Sequence, residues 1–371
     1  MNCGSLETKR NGRTQTAPTT LAGELGTLQR FLCASCGSSF TSARRAASAR
    51  ARFSDDVMAE AVKLYVQSLS PYRSLALQLA RRLPTAPSRT TLWRWVDAAG
   101  SIAKTPLQVS AELAPPGWGG FLGVDGKAIF VHGVEHCLLV AVDQRSQDVV
   151  HALVVDAENE QNFERLVREC VTVARYPLKG LVIDAAPAFL AAHQNYFARL
   201  DLQLCRIHAS RRLDYDVPKA KGSPTESVRA ELKDRVRAML FAPDEAQARQ
   251  RFDALVTERD RFTGLGRIDT VRGLQRRLGH YFTHYDLEGM PADANITENV
   301  IKQLGKKLAL MEGFASMVSA ERFSRLLIGC YRFKRFTGSC RQGANGRSPL
   351  ELAGVRALPS DWLRYLTEEA S

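Results

Sequence analysis

The stretch FLGVDGKAIF, residues 121–130, decides how the whole chain is interpreted, because it sets one carboxylate inside an apolar segment. Apolar residues stand on both sides of Asp125, and a short run of this kind predicts a buried strand. A charged group in such a strand is costly unless a cation or hydrogen bonds compensate it. Asp-Gly is also a strong turn signal, so a hairpin turn at Asp125 and Gly126 is the alternative interpretation.

Two more acids favour the strand over the turn. Residues 178–184, LKGLVID, form a second apolar run that ends in Asp184. Glu298 lies in ANITENVIKQ, residues 294–303, a helix-like segment nearer the C-terminus. A metal site would form if these two strands and the helix brought the three acids to one point, since hard cations such as Mg²⁺ bind carboxylate oxygens.

Several other acids compete for these roles. Asp143 follows the apolar run 138–142 and could replace Asp125, but Gln-Arg-Ser-Gln comes next and is typical of a loop. The remaining competitors either precede a predicted helix, where they favour its dipole, or lack the asparagines beside Glu298: Asp156, Glu158, Glu312 and Glu321. Asp125, Asp184 and Glu298 are therefore the predicted triad.

The composition indicates a globular protein with a polyanionic partner. A chain of 371 residues is long enough for two or three domains, and 45% hydrophobic with 24% charged residues is ordinary for a globular chain. The net charge of +12 is unusual. Residues 1–116 carry 15 lysines and arginines against 7 aspartates and glutamates, a surplus of 8 in the first third. Nucleic acid is the commonest partner of such a charge distribution.

Neither a membrane nor an oxidising compartment is indicated. No apolar run approaches the ~20 residues needed to span a bilayer, and residues 1–13 lack the apolar core of a signal peptide. Of the eight cysteines only Cys33 and Cys36 stand close together, which does not suggest a disulfide framework. We expect a cytoplasmic protein without a membrane partner.

A candidate zinc ligand pair occurs near the N-terminus. CASCG, residues 33–37, has the Cys-x-x-Cys spacing of half a zinc knuckle, and Cys3 lies upstream. Redox motifs share the spacing but precede a helix in a βαβ unit, which is absent from this region. No histidine occurs before His132, so residues 1–42 are predicted to be a partial zinc ribbon with three thiolates, Cys3, Cys33 and Cys36.

Residues 43–114 carry the pattern of a helix-turn-helix. A helix is predicted from an N-cap at Ser54 to about Ser68, a second over 74–83, and a third from an N-cap at Ser88 after a proline-containing break. A plain helical hairpin that touches no DNA is the alternative. In the helix-turn-helix interpretation, four residues of the third helix would face the major groove: Arg89, Thr90, Thr91 and Arg94. Arg44 and Arg45, in the basic linker before the first helix, would contact phosphates.

From residue 118 onward strands dominate, in the order β-β-β-α-β-α-β. The predicted strands are 121–131, 137–142, 149–155, 178–183 and 202–207, with helices over 160–174 and 189–200. This order is that of an RNase H-like α/β fold with a mixed sheet. Residues 118–215 and 290–345 would form it, around a helical insertion over 216–289 with helices at 226–241, 245–262 and 270–282. Residues 346–371 would be a C-terminal tail.

The chain resembles the DDE transposases of bacterial insertion sequences, in particular the Mutator-like group. Asp125, Asp184 and Glu298 match the three acids in order and spacing. The other matches are a Cys-x-x-His element at Cys205 and His208, asparagines beside the glutamate at Asn295 and Asn299, and the closing segment SPLELAG, residues 348–354. A cysteine and a histidine after an apolar strand are also explained as a buried core pair.

The resemblance extends to the N-terminal zinc ribbon. In those transposases the first knuckle is also Cys-x-x-Cys, and its missing cysteine would fall directly before Met1 here. Either the reading frame begins upstream, or this copy has lost one zinc ligand.

The resemblance implies a function. A transposase of this kind binds the terminal inverted repeats of its element as double-stranded DNA, cuts the ends with water, and joins the freed 3′-hydroxyl to target DNA. It uses two Mg²⁺ or Mn²⁺ ions, with Asp125 bridging them and Asp184 and Glu298 each holding one. A homo-oligomer acting at the bacterial nucleoid is expected. The alternatives are a decayed element product that only binds DNA, and a structure-selective nuclease of the same fold.

Overall fold

The structure is a computed structural model that describes residues 7–14, 28–41 and 52–368. The predictions for Cys3, Arg44 and Arg45 lie outside the described residues. No helix in the described part of the chain is both long and apolar enough to cross a membrane.

The N-terminal segment forms a small antiparallel sheet. Its strands are β1 (Thr8–Thr14), β2 (Leu28–Cys33) and β3 (Ser39–Thr41), in the order β1-β2-β3. Cys33 is buried at the end of β2, and Cys36 is exposed in the turn that follows. The two cysteines therefore flank a tight turn between strands, and zinc binding there stays a prediction.

Four helices follow. They are α1 (Asp55–Gln67), α2 (Tyr72–Ala80), α3 (Arg89–Ile102) and α4 (Pro106–Leu113). Ser54 and Ser88 are the N-caps of α1 and α3, as predicted, and the Ser88 hydroxyl accepts the backbone N–H of Thr91. Leu92 and Val96 of α3 are buried between α1 and α2 because they recur on one helical face.

A mixed five-stranded sheet lies at the centre of the molecule. Its strands are β4 (Phe121–Val131), β5 (Val134–Asp143), β6 (Val149–Val155), β7 (Gly180–Ile183) and β8 (Asp201–Leu204). Their order is β6-β5-β4-β7-β8. Strands β4, β5 and β6 pair antiparallel, and β7 and β8 run parallel to β4. The predicted meander with parallel additions is confirmed, and the fold is α/β.

The hairpin turn considered at Asp125 and Gly126 is wrong. Both residues lie in the middle of β4, paired with Val140 and Leu139 of β5. The turn falls at His132 and Gly133, where the backbone takes positive φ values of 49° and 78°. Since a β-hairpin turn needs this conformation, the chain reverses there rather than at Asp-Gly.

The helices between and after these strands are α5 (Glu160–Thr172), α6 (Pro187–Tyr196) and α7 (Arg206–Asp216). The prediction of a strand over 202–207 is wrong at its end, because α7 begins at Arg206 and takes His208 into its first turn. The insertion contains α8 (Glu226–Leu240), α9 (Glu245–Thr257), α10 (Arg259–Phe262), α11 (Thr270–Gln275) and α12 (Leu278–Asp286). Two long predicted helices are thus each broken in two.

The C-terminal helices close the structure over the sheet. They are α13 (Asn295–Ala309), α14 (Met317–Phe333), α15 (Pro349–Leu352) and α16 (Trp362–Thr367). Residues Trp362, Leu363 and Leu366 are buried against the rest of the molecule. The segment predicted as a C-terminal tail therefore contributes to the core.

Helices α1 to α3 and the sheet share one hydrophobic core. Residues of α1, α2 and α3 pack in the same buried cluster as residues of α13, α14 and α16. Lys307 of α13 reinforces this contact: its Nζ donates to the carbonyl oxygens of Ser68 and Ser70, at 3.0 Å each, and lies 3.6 Å from the ring centre of Tyr65. Burial lowers the pKa of Lys307 to about 8. Helices α1 to α3 are therefore fixed to α13 and to the part of the molecule that contains the sheet.

A buried ion pair ties α14 to the turn between β5 and β6. The side chains of Arg332 and Asp148 are both 0% exposed. Two parallel hydrogen bonds of 2.8 Å join the guanidinium to the carboxylate, a third goes to the carbonyl of Pro106, and the Trp118 indole also donates to Asp148. Arg332 of α14 is therefore a packing contact inside the molecule.

Candidate active site

The register of the parallel strands brings Asp125 and Asp184 to the same level. Gly123 of β4 pairs with Val182 of β7. Asp125 lies two residues after Gly123, and Asp184 lies two residues after Val182, directly after the last residue of β7. Because neighbouring strands are about 4.8 Å apart and side chains alternate with a period of two, the two aspartates lie side by side on one face.

Helix α13 brings Glu298 to this face of the sheet. A Cβ atom on Gly123 would lie 2.0 Å from Thr297 Oγ1 and 2.1 Å from Gln144 Nε2, which are themselves hydrogen-bonded at 2.6 Å. Only glycine allows the helix to approach β4 this closely. Glu298, the next residue after Thr297, is therefore carried by the helix that packs on this face of the sheet.

The Glu298 carboxylate does not share a contact with the aspartates. It forms an ion pair with Arg211 of α7. Asp125 Oδ1 accepts the N–H of Gly126 at 2.8 Å, and Asp184 Oδ1 accepts the N–H of Ala186 at 3.0 Å. Among the residues that the structure describes, no three His, Cys, Asp or Glu side chains converge closely enough to hold a metal ion. Convergence on an ion therefore requires movement of these side chains.

The donor set nevertheless fits a hard divalent cation. Asp125 and Asp184 offer carboxylate oxygens side by side, and neither makes an ion pair with a side chain in the described ranges. Nearby, His208 Nδ1 is buried without a hydrogen-bond partner. Like charges placed together without a fixed cation are unfavourable, and a bound cation would compensate them.

The electrostatics of Asp125 are consistent with this crowding. Burial, together with the negative charges of Asp184 and Glu158, raises the pKa of Asp125 to about 6, against the opposing effects of the Gly126 N–H and of His208. At neutral pH the carboxylate is ionised although the folded structure disfavours its charge.

This raised pKa predicts a pH-dependent stability difference. The pKa of an aspartate is about 3.9 in an unfolded chain, so the folded protein loses stability as the pH rises from about 4 through 6. Asp125→Asn removes this loss, and we expect it to increase the free energy of unfolding by on the order of 2 kcal/mol at pH 7.5 and by nearly nothing at pH 4. Urea unfolding at both pH values measures it. An equal difference at both would contradict the raised pKa.

Cys205 and His208 lie at the same end of the sheet. Cys205 is buried directly after β8, and its sulfur accepts the N–H of Ala294 at 3.3 Å, at the start of the helix that carries Glu298. The neighbouring Cys205 side chain and the charges of Asp184 and Asp125 raise the pKa of His208 to about 9, against the effect of burial. His208 therefore carries a positive charge at neutral pH. Asn295 and Asn299 are exposed on α13, one on each side of Glu298 along the chain.

The strongest competitor of Asp125 has a structural role. Asp143 is wholly buried, and each of its oxygens accepts two hydrogen bonds. Gly119 N–H and Tyr176 Oη donate to Oδ1 at 2.7 and 2.6 Å, and the backbone and side chain of Ser146 donate to Oδ2 at 2.7 Å. These four donors leave no oxygen for a metal ion.

Two residues near the site were not found from the sequence. Arg211 is 87 positions before its partner Glu298, so no local pattern connects them. Glu158 was interpreted as an acid of a helix start, and this is wrong, because α5 begins at Glu160 with Asn159 as its N-cap. The available signal was Gly126, since a glycine inside a strand often marks a close approach.

The predicted DNA-reading residues lie on α3. Arg89, Thr90 and Arg94 are exposed, whereas Thr91 is half-buried and its hydroxyl is 2.9 Å from that of Ser88. Thr91 therefore supports the helix start more than it faces solvent. The sequence interpretation missed Trp93, which is 43% exposed on the same helix.

Neither a family model nor a curated protein matches the chain.

Proposed function

We propose that the chain is a metal-dependent transposase that cuts and joins DNA at the ends of a bacterial insertion sequence. One observation carries this proposal: the register of β4 and β7 sets Asp125 level with Asp184, on the sheet face against which α13 holds Glu298. Two acids on neighbouring strands and a third on a packed helix are the arrangement expected from the resemblance. Mg²⁺-dependent nicking of DNA that carries the inverted repeats tests it.

The strand order supports an RNase H-like core. Three antiparallel strands in a meander, with two parallel strands added beside the first, give the order β6-β5-β4-β7-β8. Five helices, α8 to α12, then intervene between α7 and the helix that carries Glu298. This matches an insertion between the second and third acids.

Each residue of the site would have its own role in phosphoryl transfer. Bound Mg²⁺ or Mn²⁺ would activate the attacking oxygen and stabilise the leaving one at phosphorus. Asp125 and Asp184 would hold the cations from the sheet, and Glu298 would join them once it leaves Arg211. His208 offsets part of the carboxylate charge before a cation binds, and Arg211, once released, can bind a DNA phosphate.

The surface charge supports a DNA partner. The chain carries a net charge of +12, and Arg89, Thr90 and Arg94 are exposed on α3. A decayed, purely DNA-binding product is the second candidate. All three acids are present, which favours the enzyme.

The helix α3 is expected to provide a large part of the DNA affinity. The double variant Arg89→Ala/Arg94→Ala should bind duplex DNA more weakly and reduce the slope of log affinity against log salt by about 2, since each phosphate contact releases roughly one counterion. Fluorescence anisotropy of the full chain at several salt concentrations measures both. The full chain is used because α1 to α3 share their core with α13 and α14.

A matched control is Arg168→Ala, which removes an exposed arginine that pairs with Glu164 on the distant helix α5. If the double variant kept both the wild-type affinity and the wild-type slope, α3 would not be the DNA-reading helix.

A further inference from the structure

Glu158 extends under the strand that carries Asp125. A Cβ atom on Gly126 would lie 1.7 Å from Glu158 Oε1, so the carboxylate occupies the space where any other side chain would stand. Gly126 also donates its N–H to Asp125 Oδ1. Because side chains alternate along a strand, the carboxylates of Asp125 and Glu158 contact the backbone of Gly126 from its two sides.

The three carboxylates also act on one another electrostatically. The charge of Glu158 raises the pKa of Asp125, and burial and the charge of Asp184 raise the pKa of Glu158. In the described part of the chain, Glu158 makes no ion pair, and its one side-chain hydrogen bond comes from the Cys137 thiol, with 3.8 Å between Sγ and Oε1. A flexible glutamate could turn to solvent, yet it remains beside two other acids.

We propose that Glu158 is a fourth carboxylate of the active site, holding divalent cations together with Asp125 and Asp184. The inference rests on the proposed function, because that function supplies the cations. It explains why Asp-Gly stands in the middle of a strand: Asp125 is the ligand, and Gly126 gives Glu158 room to reach the same site. Glu158 is then a second acid, besides the Glu298 that pairs with Arg211, that can complete the set of carboxylates around the cations.

Mn²⁺ binding to the DNA-free protein, followed by electron paramagnetic resonance and calorimetry, tests this without relying on activity. Glu158→Gln should weaken Mn²⁺ binding at least tenfold, because a neutral amide replaces a charged oxygen donor. Gly126→Ala keeps every carboxylate but places a methyl group where Glu158 Oε1 lies, and it should weaken binding in the same direction. The matched control is Glu160→Gln, two residues away and hydrogen-bonded to Asn195.

The outcomes separate this inference from the proposed function. If Asp125→Asn lost Mn²⁺ binding while Glu158→Gln and Gly126→Ala bound like the wild type, Glu158 would not be a ligand and the transposase site would stand. If the wild type bound no Mn²⁺, or bound it independently of Asp125, both proposals would fall. Loss in Glu158→Gln and Gly126→Ala, with binding kept in Glu160→Gln, is the result that we expect.

Discussion

Asp125→Asn, Asp184→Asn and Glu298→Gln are each expected to reduce Mg²⁺-dependent cleavage of DNA ends on the order of a thousandfold or more. Each change replaces a charged ligand by a neutral amide of the same shape, so several kcal/mol of transition-state stabilisation are lost. DNA affinity should stay close to that of the wild type, because the exposed arginines of α3 are untouched. Cleavage of end-labelled duplex and anisotropy with the same duplex measure the two properties.

A matched control for the glutamate is Glu312→Gln, which changes an acid beyond the end of α13 and outside the proposed triad. If any one of the three variants cleaved DNA at the wild-type rate, that residue would leave the triad. Equal loss of cleavage and of DNA binding would point instead to a general defect in folding.

Arg332→Met is expected to lower the free energy of unfolding by about 3–5 kcal/mol, the largest stability change that the structure indicates. The variant leaves the Asp148 carboxylate wholly buried with the Trp118 indole as its remaining side-chain donor. A buried charge without its partner costs far more than the pair contributes when intact. The midpoint of guanidinium unfolding followed by tryptophan fluorescence measures the change.

The double variant Arg332→Met/Asp148→Asn separates the lost pair from lost packing. Because the second change removes the uncompensated charge, the double variant should be more stable than Arg332→Met alone. A double variant that is less stable than the single one would mean that methionine packs poorly at this position and that charge is not the cause.

The sequence predicted the elements whose cause is local. The strands 121–131 and 149–155 have the predicted bounds because continuous apolar runs end at polar or turn residues. The N-caps Ser54 and Ser88 were equally visible. Asp125 and Asp184 were placed together because each belongs to an apolar strand, and the parallel register agrees with that inference.

The contacts that the sequence did not predict depend on tertiary packing. An arginine on an amphipathic helix is expected to be exposed, yet Arg332 is buried. Its partner Asp148 lies 184 positions earlier, so no local sequence pattern connects the two residues. The ion pair of Arg211 with Glu298 has the same origin. Glu158 was misinterpreted since its position before a helix explained it locally, whereas the space above Gly126 can be seen only in three dimensions.

The position of Lys307 has an evolutionary consequence. Lys307 follows Glu298 by nine positions on α13, a rise of about 14 Å and a rotation of about 180°, so the helix presents Glu298 to Arg211 of α7 and Lys307 to the end of α1. An insertion or deletion of one residue between them would turn one of the two away by about 100°. Under the proposed function, new DNA specificities are therefore expected to arise by substitution on the exposed face of α3. Exchange of residues 52–113 between related proteins would need α13, α14 and α16 to be exchanged with them.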